Sequence, residues 1–123
     1  MGWFSVMNVS RCRGFVLLLS FGMLLYGLFR STPPLPVLAH YDKAVHFMAF
    51  AVVTAIIPIT FSRRLYRYSG VTVVIILAVM SEFIQANWLP YRHFGIQDME
   101  ANIAGVASIL LLLLLCFWFR SSR

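Results

Sequence analysis

Long apolar stretches separated by short charged breaks make up most of the chain. The first runs from Gly14 to Phe29 between Arg13 and Arg30, and the second from Ala44 to Ser62 between Lys43 and Arg63. The third runs from near Tyr68 to about Ala86, interrupted only by Glu82 and Gln85; the fourth, Ala101 to Phe119, lies between Glu100 and Arg120. A helix needs about 20 apolar residues to cross a bilayer core. The second and fourth stretches fit. The third is long enough but polar near its end, and the first is short unless its helix extends back past Arg13. The pattern predicts an all-α polytopic membrane protein, a bundle of four transmembrane helices spanning residues 14–119, with an N-terminal segment 1–13 and a tail 120–123.

Composition agrees with that class. Of 123 residues, 61% are hydrophobic and 11% charged, too little charge to cover the surface of a soluble domain. A cleaved signal peptide is a poorer reading of the first stretch, because the nearest cleavage-like site, Val37-Leu38-Ala39, lies far beyond it, behind "STPPLP". The prolines make that segment a stiff connector.

Orientation follows from lysine and arginine. Seven basic residues (Arg11, Arg13, Arg63, Arg64, Arg67, Arg120, Arg123) fall on one side of a four-helix topology and three (Arg30, Lys43, Arg92) on the other. This bias places both termini in the cytoplasm and loops 31–41 and 88–97 outside. Trp88 and Tyr91 read as outer interfacial anchors, and Trp3 and Trp118 as inner ones. The net charge of +6 is first a topology signal. Scattered at helix ends, it does not form the basic surface that nucleic acid requires. Cys12 and Cys116 both fall near the inner side, where a reducing cytoplasm leaves no reason for a disulfide.

The acids break the symmetry. All four of them, Asp42, Glu82, Asp98 and Glu100, lie at the outer ends of helices, whereas the inner ends carry arginine and almost nothing else polar. "HYDKAVHFMAF" opens the second helix with Asp42 and His46 four residues apart. Glu82 and Gln85 are three apart at the end of the third. Asp98, Asn102 and Gly105 follow i, i+4, i+7 at the start of the fourth. Each spacing puts its residues on one helix face, so polar stripes at the same depth can share an outer pocket. Glu82, the deepest acid, needs partners inside an apolar block, and Lys43, His46 and Arg92 are the cations within reach. Ser81 neighbours Glu82 but points about 100° away on an ideal helix. Gly105 reads as a close helix-packing position, and Pro58 as a kink in the second helix. Asp42, His46, Glu82 and Asp98 are also metal-ligand types. A single histidine without clustered cysteine is not a metal-site pattern, however, and neither metal nor cofactor is expected.

The ordered set "DKAVHFMAF", "SEFIQ", "LPYR" and "DMEANIAG" resembles the VanZ-like membrane proteins from about Asp42 to Gly105. The positions carried over are Asp42, Lys43, His46, Phe47, Glu82, Gln85, Arg92, Asp98, Asn102 and Gly105. The family takes its name from a teicoplanin-resistance accessory protein, so the resemblance implies a multi-pass protein of a bacterial inner membrane, concerned with the cell envelope or with antibiotic resistance. Two function classes follow. In one, the outer pocket binds a lipid headgroup, a cell-envelope precursor or an amphiphilic drug, with Lys43 and Arg92 holding an anionic group. In the other, the protein is a membrane enzyme with Glu82 and His46 as general acid and base. Membrane lipids and a lipid-linked or amphiphilic small molecule are the partners expected in either case.

Overall fold

The computed structural model describes residues 2–30, 41–90 and 92–122, with side chains from Val9 onward. The "STPPLP" connector, Tyr91 and the side chain of Trp3 lie outside the described residues. The described chain is all helical: α1 spans Gly2–Phe29, α2 Asp42–Thr60, α3 Arg64–Trp88 and α4 Ile96–Ser121. All four are long and apolar enough to cross a membrane.

The helices outrun the apolar blocks that predict them. α1 starts at Gly2 and not at Gly14, because no proline interrupts residues 2–13 and arginine is a good helix former. α4 takes in the polar residues before Ala101, with Asp98 in its first turn, where the partial positive charge of the helix N-terminus favours a carboxylate. Asp42 occupies the corresponding place in α2. Pro58 lies inside α2 two residues before its end, so the missing N–H falls in the last turn of the helix.

α2 is the central helix. It packs most extensively on α4, then on α1, and it also meets α3, which packs on α4 in turn. Its buried positions form one stripe: His46, Phe50 and Ala51, Val53 and Thr54, then Ile57. The facing stripes are Leu24 and Leu28 on α1, Val74, Ala78, Ser81, Glu82 and Gln85 on α3, and Asn102, Gly105 and Val106 on α4. Apolar members of these stripes make the core. The polar members are the same stripes continued to one end of the bundle. Away from the core the helices present apolar side chains, among them Leu18, Leu19, Ile76, Leu114 and Phe117, all exposed, in keeping with helices apolar enough to cross a membrane.

Gly105 sets the α2–α4 distance. A Cβ at this position would run into the Phe47 carbonyl oxygen and crowd the Ala51 amide at 3.2 Å. The glycine lets the two backbones touch, the means by which membrane helices gain van der Waals contact when no hydrophobic effect drives them together.

Candidate functional site

The polar ends of the stripes meet where α2 and α4 begin and α3 ends. His46, four residues into α2, is 5% exposed. Its Nδ1 lies 2.9 Å from Asn102 Oδ1. The Asn102 Nδ2 donates to the Ala78 carbonyl at 3.3 Å and to Ser81 Oγ at 3.4 Å. One amide thus ties α4 to both α2 and α3. Because its nitrogen is engaged with α3, its oxygen is the atom turned to His46. An amide oxygen only accepts, so Nδ1 carries the hydrogen.

The charged groups surround this bond. His46 Nε2 lies 4.0 Å from Asp42 Oδ1, and His46 Nδ1 lies 4.0 Å from Glu82 Oε1. The second Asp42 oxygen, Oδ2, stands 3.7 Å from Arg92 Nη1. Asp98 joins the group: one oxygen each from Asp42 and Asp98 and one His46 nitrogen lie within 4.8 Å of one another. His46, Glu82 and Asp98 therefore share one cluster, the arrangement that the stripe spacing predicts. Glu82 and Gln85 are both 1% exposed. Three buried polar atoms here have no hydrogen-bond partner among the described residues: Glu82 Oε1, Gln85 Nε2 and Arg92 Nε. Unmet polar atoms are few in folded proteins, and three gathered at one end of a bundle mark it as more than a packing interface.

Two spaces open from the cluster. A cavity of about 260 Å³ lies between α1 and α2; Arg30, Asp42, His46 and Arg92 line its polar part, and Met23, Leu24, Leu28, Val45, Ala49 and Phe50 its apolar part. An open cleft on the other side of Asp42 is bordered by Lys43, Gly95, Ile96, Gln97 and Asp98.

Some expectations need adjustment. Lys43 is exposed and forms no ion pair with Glu82 or any other described residue. It follows Asp42 on the helix, so its side chain leaves about 100° around the axis from the acid. Lys43 and Arg92 consequently border different spaces, and the second cation beside Arg92 is Arg30. Ser81 is buried as Glu82 is, and its Oγ meets Asn102 rather than Glu82, in keeping with side chains about 100° apart on the helix. Gly105 stands at the close α2–α4 contact, as its sequence reading has it, with the Phe47 carbonyl against it. Cys12 and Cys116 are free and exposed. Compared with models of known families, with curated proteins and with solved structures, the chain gives no match.

Proposed function

We propose that this is a multi-pass membrane protein of VanZ-like type that binds an amphiphile with an anionic headgroup at the polar end of its helix bundle. The observation that carries this reading is the setting of Arg92. Its side chain is 11% exposed and lines the α1–α2 cavity, its Nε hydrogen is unmet, and Arg30 lines the same cavity. A buried guanidinium hydrogen without a partner is costly, and a phosphate or carboxylate in the cavity would satisfy it with a charge-assisted bond. The apolar wall formed by Met23, Leu24, Val45 and Ala49 continues from the same space toward the middle of the helices, as an acyl chain requires. The ordered motifs from Asp42 to Gly105 support the family reading. The basic bias supports both termini in the cytoplasm and the cavity facing outward, in a bacterial inner membrane. Lipid-linked envelope precursors and amphiphilic drugs with an anionic group belong to the same chemical class as an anionic phospholipid.

The test is retention of lipid by the purified chain in nanodiscs or detergent. Native mass spectrometry should show phosphatidylglycerol retained in preference to phosphatidylcholine, with the preference lost in Arg92→Met and weakened in Arg30→Met. Equal retention of the two lipids by the unaltered chain would overturn the reading.

A further inference from the structure

The cluster of Asp42, His46 and Asp98, two of whose members also line the α1–α2 cavity, has a second consequence. We infer that it is a divalent metal site, with His46 Nε2 and one oxygen each of Asp42 and Asp98 as ligands and Glu82 beside them. The first argument is the histidine tautomer. Asn102, fixed by Ala78 and Ser81, requires the hydrogen on Nδ1. Neutral His46 then presents an unprotonated Nε2 on the side facing Asp42. Metal-binding histidines are held in this manner, one nitrogen on an oxygen acceptor and the other on the ion.

The second argument is charge. Asp42, Asp98 and Glu82 gather around the imidazole; among the described residues Arg92 alone pairs with one of them, while Arg30 lines the neighbouring cavity and the exposed Lys43 borders the cleft beside Asp42 and Asp98 without an ion pair. A divalent cation offsets that surplus of carboxylates over paired cations. Glu82 is a third acid beside the ring, 1% exposed; its Oε1 has no hydrogen-bond partner among the described residues and lies 4.0 Å from Nδ1, on the Asn102 side of the imidazole, while Nε2, within a residue that is 5% exposed, is left to Asp42 and Asp98. The third argument is reach. Ligand atoms sharing a tetrahedral ion stand about 3.4 Å apart when the bonds are about 2.1 Å, and those of Asp42, His46 and Asp98 already lie within 4.8 Å. Rotation of two carboxylates that are only half-buried closes the difference. Asp42 Oδ2 stays on Arg92 as Oδ1 turns to the ion, which is how ligating carboxylates are usually supported. Two carboxylates with one imidazole suit Mn²⁺ or Zn²⁺ better than a soft ion.

The experiment uses the full chain in detergent, stripped with chelator and carrying Cys12→Ser and Cys116→Ser so that exposed thiols take no metal. Titration with Mn²⁺ or Zn²⁺ should show one saturable site per chain. Pulsed electron paramagnetic resonance of the Mn²⁺ form should show imidazole nitrogen coupling, which disappears in His46→Gln. Asp98→Asn, which keeps shape and hydrogen bonding, should weaken the site at least tenfold, and Asn102→Ala should weaken it about 10–100-fold through loss of imidazole orientation. No saturable site for either ion, or binding that folded Asp98→Asn and His46→Gln protein leaves unchanged, overturns the assignment. Lipid retention is read separately, so failure of the metal site and failure of the amphiphile reading are distinguishable.

Discussion

Asn102 is the residue on which the polar end is hung. Removing its amide leaves the His46 Nδ1 hydrogen and the Ser81 hydroxyl without their partner in a buried setting. Each such loss is worth about 1–3 kcal/mol. Asn102→Ala is therefore expected to lower the melting temperature in detergent. An Asn102→Ala protein as stable as the parent would show that the network does not bind the helices together. The charges make a second prediction. Arg92 is paired with Asp42 while Lys43 is paired with no described acid. A thermal double-mutant cycle of Arg92→Met with Asp42→Asn should show coupling of about 0.5–3 kcal/mol, and Lys43→Met with Glu82→Gln should be additive within about 0.5 kcal/mol. The reverse ranking would mean that Lys43, not Arg92, holds the cluster. Helical spacing located Asp42, His46, Glu82, Gln85, Asp98 and Asn102 on facing stripes. It did not disclose which cation turns inward, because that depends on a neighbouring helix. Arg30 was hidden for this reason: α1 has no polar stripe of its own to signal that it lies against α2.

At the scale of the helices, α2 and α4 meet through Gly105. Gly105→Ala puts a methyl group into the Phe47 carbonyl, and backbone cannot swing aside as a long side chain can. The expected cost is about 1–3 kcal/mol or more, the range for overpacking. Gly22→Ala, with nothing within 4 Å, should be neutral or stabilising by up to about 1 kcal/mol. Melting of the two variants side by side checks this, and equal tolerance would mean that α2 and α4 are not in backbone contact. The helices themselves were plain in the sequence, since apolar runs between charges leave few alternatives. Their ends were less so. Residues 2–13 and 96–100 are polar enough to stand outside an apolar block, yet nothing in them opposes a helix once the apolar part has nucleated it.

For the whole molecule, the distribution of arginine makes the prediction. Reporters fused after Arg67 and Arg123 should read cytoplasmic, and one inserted near Pro34 external; an external signal after Arg123 would require an odd number of crossings. The bundle is also uneven in length. The central helix α2 has 19 residues, against 25 in α3 and 26 in α4. At about 1.5 Å per residue, α2 spans about 28 Å, slightly less than a typical hydrocarbon core of about 30 Å. Since α2 packs on every other helix, it sets the thickness of bilayer that the protein would match in the proposed membrane setting. A thicker membrane must either dimple toward α2 or leave Asp42 and His46 recessed beneath the phosphates, at a cost of fractions of a kcal/mol per Å of mismatch. Acyl-chain length thereby becomes a variable that reaches the polar end without touching it.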